Sequence, residues 1–183
     1  VIDLTSAGSR PYPLEIPEAF WQALLAHVTS CLPEEACGLV AVEREEEYVE
    51  SLAQPVRAAA VLPIENELHS PVRFRMDPAE QLKAFYWLEE HSLELGAIFH
   101  SHPKGPDHPS ATDLAEFAYP GVLMLILSPL DLPVSPQGAD LPFRVDWQIR
   151  AYQIESRLSS SLSASEVPLV RLADRNDDLP EVL

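Results

Sequence analysis

The chain predicts an α/β fold, a single domain in which a mixed sheet is flanked by a few helices. Three observations carry that expectation. Short apolar runs of strand length, ACGLVAVE (36–43), LELGAIFH (93–100) and GVLMLILS (121–128), recur along the chain. Two stretches between and before them, 17–31 and 78–91, place apolar residues at helical spacing. The 183 residues, 46% of them apolar, suffice for one substantial core.

In chain order, residues 1–16 contain Pro11 and Pro13 and read as a lead-in expected to end in an edge strand. Phe20, Leu24, His27, Val28 and Cys31 then fall on one helical face, with Pro17 suited to the first turn, which predicts a helix over about 17–31. ACGLVAVE is short and bounded by charge, as a buried strand would be. Further strands are expected in YVESLA (48–53), in VRAAAVLPI (56–64) and around VRFRM (72–76). Asp77-Pro78-Ala79-Glu80 supplies an N-cap, a proline at the first helical position and a carboxylate at the third. The helix over 78–91 that follows should bury Leu82, Phe85, Tyr86 and Leu88.

Ser110 opens a short third helix with Leu114 and Phe117 facing inward, ended by Pro120-Gly121. GVLMLILS is apolar on both parities, which predicts a central strand covered on both faces. FRVDWQIRAY alternates Phe143, Val145, Trp147 and Ile149 with polar residues, which predicts a strand with one buried face. The proline-rich 129–142 reads as a surface loop near the site, and the serine-rich 156–166 as a flexible connection before a last strand in VPLVRL.

The net charge of −17 repels phosphate backbones and anionic lipids, so nucleic acid and membranes are not expected partners. The acidic runs 43–50 and 173–183 read as solvated faces or tails. Cys31 and Cys37 are too few for a disulfide framework and fit buried thiols in a reducing compartment, the cytoplasm. The start VIDLTSAGSR lacks a charged segment followed by an apolar one, so no signal peptide is expected. The run GVLMLILSPL is too short to span a bilayer.

Chemistry concentrates in FHSHPKGPDHPSATD (99–113). His100 and His102 stand at the exit of a strand, where residues i and i+2 project to one side about 6.5 Å apart. A catalytic zinc takes three protein ligands and keeps one position open. Asp113 is the natural third ligand, because a helix starting at Ser110 turns it back toward the strand end. Taken singly, each piece has a plainer reading: Ser110-Ala-Thr-Asp113 is also a helix cap, and paired histidines can be polar loop residues.

Together, His-Ser-His, seven residues, Ser, two residues and Asp resemble the signature of the JAMM (MPN+, Mov34-type) zinc metalloproteases. Upstream, LPEEACGLV (32–40) is similar to the family's Glu-x-Cys-Gly-Leu segment. By that alignment Glu35 is the catalytic glutamate, with Glu34 as the fallback. NELHSPVRFRMDPAEQL (66–82) resembles a segment of the small bacterial branch that hydrolyses sulfur-carrier adducts. The resemblance spans about residues 17–154. It implies a cytidine-deaminase-like fold with a curved mixed sheet, a catalytic domain over 17–155, a lead-in over 1–16, and a C-terminal extension with an acidic tail over 156–183.

The resemblance also implies a mechanism. One Zn2+ ion is held by His100, His102 and Asp113, where it lowers the pKa of a water and polarises the scissile carbonyl. Glu35 acts as general base and then acid, and Ser110 donates to the developing oxyanion. The implied partner is a ubiquitin-like or sulfur-carrier protein ending in Gly-Gly, with an amino acid such as cysteine as leaving group. A deconjugating isopeptidase acting on protein lysines is the alternative. A non-catalytic scaffold of the MPN− branch lacks ligands, whereas all five positions are filled here. A zinc deaminase would need a Pro-Cys-x-x-Cys pair, which is missing. His27 and His91 fit satisfied or surface helical residues, and His108 a solvated loop residue. Cys37 shares the strand parity of Glu35 and is weighed as a further thiolate ligand. His69 takes no assigned role.

Overall fold

The computed structural model describes residues 13–43, 55–119, 121–130, 145–156 and 162–173. Its frame is a mixed eight-stranded sheet. The strands are β1 (Leu14–Pro17), β2 (Cys37–Glu43), β3 (Val56–Ile64), β4 (Leu93–Ser101), β5 (Leu123–Pro129), β6 (Trp147–Ser156), β7 (Leu162–Val167) and β8 (Leu169–Leu172). They lie in the order β7-β6-β5-β4-β2-β3-β1-β8. β4 and β5 run parallel, as do β1 with β3 and β1 with β8, while the remaining neighbours are antiparallel.

The helices are α1 (Glu18–Ser30), α2 (Pro78–Glu90) and α3 (Ala111–Glu116). Alternation along each strand sorts its side chains between two layers. On one face Phe20, Leu24 and Val28 of α1 close over Val40, Val42, Phe99, Leu125 and Leu127. On the other, Ala84 and Leu88 of α2 cover Leu39, Ala41, Leu62 and Ile98. Gly38 permits this close packing, since a Cβ there would stand 2.6 Å from the Phe99 ring. Asp77 caps α2 by accepting from the Glu80 N–H at 2.8 Å. β5 is buried on both parities, as a central strand should be.

Several expectations are corrected. The strand that ends the lead-in is β1, and it pairs on both sides rather than forming an edge. VRFRM forms no strand: only Met76 makes an isolated bridge, to Asn66, because the backbone there bonds to a side chain instead of a ladder. Leu82 and Tyr86 are 53% and 59% exposed, so α2 buries a narrower stripe than its apolar residues suggest. Within the serine-rich stretch, 162–167 is strand β7, paired antiparallel with β6. With β8 it places residues from beyond Glu155 at both edges of the sheet. The expected strand 48–53, Phe143 of the alternating strand, Pro120, most of the 129–142 loop and nearly all of both acidic runs lie outside the described residues.

Candidate active site

The site forms where β4 ends. His100 is its last residue but one and is fully buried, with Phe74 stacked on its ring at 4.4 Å. The chain continues to His102, whose backbone N–H donates to the Leu127 carbonyl of β5 at 2.8 Å, which keeps both imidazoles on one side. Gly105 then packs against His102 so tightly that a Cβ would stand 3.0 Å from the histidine Cβ.

Asp113 arrives from the first turn of α3. The cap reading of Ser110-x-x-Asp113 holds, and its geometry is compatible with the ligand reading. Ser110 Oγ accepts from the Asp113 N–H at 3.1 Å, while the Ser110 N–H donates to Asp113 Oδ2 at 2.6 Å. This capping box aims the carboxylate at the histidines. Asp113 Oδ1 lies 3.5 Å from His100 Nε2, and Oδ2 lies 3.4 Å from His102 Nε2. The two Nε2 atoms are 3.0 Å apart. One donor atom from each of the three residues falls within 4.8 Å of the others, so the cluster could hold a metal ion.

The donor chemistry fits a cation. His102 Nδ1 lies 2.7 Å from the Pro106 carbonyl, which can only accept, so that nitrogen carries a proton and in the neutral ring Nε2 holds the lone pair. Two imidazole nitrogens facing each other beside a carboxylate can share a cation between them. Burial pushes the His100 pKa down despite Asp113. Burial also opposes charge on His102, but the Asp113 carboxylate and the Pro106 carbonyl outweigh it and raise the pKa. Asp113 itself resists ionisation through burial, yet its bonds to both histidines hold its carboxyl well below the usual range.

Glu35 is 5% exposed and lines the same cavity, of about 430 Å³, as His102, Ser110 and Asp113. Its placement follows from register. Cys37 pairs with His100, and the next step is held by Ser101, whose N–H donates to the Ala36 carbonyl and whose hydroxyl accepts the Ala36 N–H at 2.8 Å. Glu35 therefore falls opposite His102. Burial, with Asp113 adding to it against the pull of His102, pushes the Glu35 pKa up to about 7. Glu34 turns the other way, to within 3.1 Å of His69 Nδ1 at the surface.

The remaining candidates separate cleanly. Cys37 donates to the Ile64 carbonyl at 3.4 Å, and its thiol is pushed up to about 12 by burial, so it stays outside the donor set. His27 lies 3.3 Å from the Cys37 carbonyl under Phe99, and His91 stacks on Trp87. His108 is exposed beside Asp107. His69 adopts a left-handed φ of 46°, and its ring lies between Glu34 and Glu65. The cavity also gathers residues that the sequence pattern leaves unassigned, among them Val72, Arg73, Phe74 and Lys104. Arg73 reaches across it to Glu116 at 2.8 Å. Their only sequence signal is membership of the 66–82 segment or of the loop after His102.

The chain resembles several known proteins. The chain is 36% identical over 115 residues to the desampylase of Pyrococcus furiosus, covering 63% of this chain and 74% of that one. It is 38% identical over 110 residues to a probable TtuB-protein conjugate cleaving protease of Thermus thermophilus, covering 60% and 66%. It is 31% identical over 120 residues to the CysO-cysteine peptidase of Mycobacterium tuberculosis, covering 66% and 76%. A solution structure of a protein from Desulfitobacterium hafniense superposes with a TM-score of 0.66 at 26% identity, over 90% of this chain and 96% of the other. Residues 17–145 match the family described as prokaryotic homologs of the JAB domain, and every motif position from Glu35 to Asp113 lies inside that span; the chain belongs to this family.

Proposed function

We propose that the chain is a zinc-dependent hydrolase cleaving the amide bond after the C-terminal Gly-Gly of a ubiquitin-like or sulfur-carrier protein, with release of an amino acid such as cysteine. One observation carries the reading above the others: the buried carboxyl of Glu35 shares a cavity with two of the three candidate ligands and with Ser110. His100, His102 and Asp113 hold the ion. Zinc bound there supplies Lewis-acid polarisation of the scissile carbonyl and a more acidic water.

The protein's own groups do the rest. Glu35 takes a proton from the attacking water and delivers it to the leaving amine, and a pKa near 7 suits a group that must do both at neutral pH. Ser110 keeps accepting from the Asp113 N–H through its oxygen, which leaves its O–H free to donate to the developing oxyanion. The two roles are compatible because one uses a lone pair and the other the proton. The family together with relatives named as a protease and a peptidase supports a hydrolase. Its similarity to a CysO-cysteine peptidase supports an amino-acid leaving group. Its similarity to a TtuB-protein conjugate cleaving protease supports a second reading, removal of a ubiquitin-like modifier from proteins.

We also propose 17–155 as the catalytic unit, 1–16 as lead-in and 156–183 as C-terminal extension, and a cytoplasmic location. The location rests on the two free cysteines. The test is mass spectrometry of a Gly-Gly-ended sulfur-carrier protein bearing a C-terminal cysteine, incubated with the protein with and without a chelator. The reading predicts loss of one cysteine, blocked by chelation. An intact adduct alongside cleaved protein conjugates would favour the second reading.

A further inference from the structure

Asn66 is buried, and its side chain uses every hydrogen-bonding position that an amide has. Nδ2 donates to the carbonyls of Glu35 at 2.9 Å and Arg73 at 3.0 Å. Oδ1 accepts from the N–H groups of Leu68 at 3.2 Å and Arg75 at 3.1 Å. From the same loop the Ser70 carbonyl accepts the Glu35 N–H at 2.8 Å. Both polar groups of the Glu35 residue's backbone are therefore held by residues 66–70. The farther part of the loop, Val72 to Arg75, faces the cavity, and Phe74 stacks on His100.

We propose that Asn66 is a positioning residue for Glu35, and that it links the loop a substrate presses on to the aim of the carboxylate that moves the proton. The inference rests on the reading of Glu35 as the proton-transfer group. Glu35 precedes the first residue of β2, and the donor to its carbonyl is the Asn66 side chain. Rate depends steeply on such placement: a displacement of about 1 Å can cost about 100-fold. None of the four Asn66 side-chain bonds reaches a candidate ligand, so its loss should leave the ion in place.

The experiment compares wild type with Asn66→Asp, which keeps an acceptor for Leu68 and Arg75 and loses both donor bonds, and with Asn66→Ser, which keeps one donor in case the aspartate prevents folding. Zinc per chain, kcat and KM on the sulfur-carrier–cysteine adduct, and hydrogen exchange of the Glu35 amide are measured on zinc-loaded protein. The proposal predicts unchanged zinc, a kcat lower by about 10- to 100-fold with KM within about twofold, and faster exchange at Glu35. Wild-type exchange at Glu35 would overturn it, as would a loss of rate that merely follows loss of zinc. If wild type leaves the adduct intact, the functional reading fails, while the exchange of the Glu35 amide still decides whether Asn66 positions it.

Discussion

β4 and β5 present two faces that start alike and end differently. On the α1 face Ala97, Phe99, Leu123, Leu125 and Leu127 belong to one continuous apolar core. The opposite face begins as apolar, with Ile98, Met124 and Ile126, and then turns polar at buried His100 and Ser128. The dry face supplies stability. On the other face the candidate site lies at the carboxyl ends of two parallel strands, where α/β sheets characteristically bind ligands because the chain leaves the ladder there and side chains can converge. Burial serves both faces, but to different ends: it excludes water from Phe99, and it shifts the proton affinities of Glu35 and His100.

That contrast can be broken from either face. Phe99→Ala, on the dry side, removes a fully buried ring that touches α1 and should cost about 3–5 kcal/mol of unfolding free energy, read by urea denaturation. On the chemical side Glu35→Gln should act oppositely in the metal-free protein. Its folded pKa of about 7 lies above the ordinary 4.5, so the folded state binds that proton more tightly than the unfolded chain does. The stability this gives is present below the unfolded value and is lost as pH rises through the folded one. Glu35→Gln should therefore gain about 1–3 kcal/mol over wild type near pH 8 and nothing near pH 4, read as melting temperature across pH. The smallest effect is expected at Leu82, which is 53% exposed: Leu82→Ala should stay within about 0.5 kcal/mol of wild type.

The parts of this arrangement legible in sequence are those set by local pattern. β2, β4 and β5 are apolar runs of strand length, α1 and α2 carry a helical periodicity, and the spacing of His100, His102 and Asp113 encodes a strand exit followed by a capped helix turn. Glu35 has no such signal. It meets the cluster through the register of β2 on β4, a long-range pairing, and only the resemblance of its neighbours to a family segment pointed to it. The 72–76 segment, where a strand is expected, forms none because Asn66 takes its backbone groups. β7 was hidden for the opposite reason. As an edge strand with only partly buried or exposed side chains among those described, it needs little apolar pattern, so its serines read as linker. Leu82 and Tyr86 show that apolar residues at helical spacing do not fix how wide a stripe is covered.

The most direct test of the central claim, that three residues hold the ion while a fourth moves the proton, is zinc content and turnover measured together in Glu35→Ala and His102→Ala. The account predicts that Glu35→Ala retains one zinc per chain and loses turnover by about 100-fold or more, and that His102→Ala loses both. A Glu35→Ala protein without zinc, or a His102→Ala protein that still binds zinc and turns over, would contradict it.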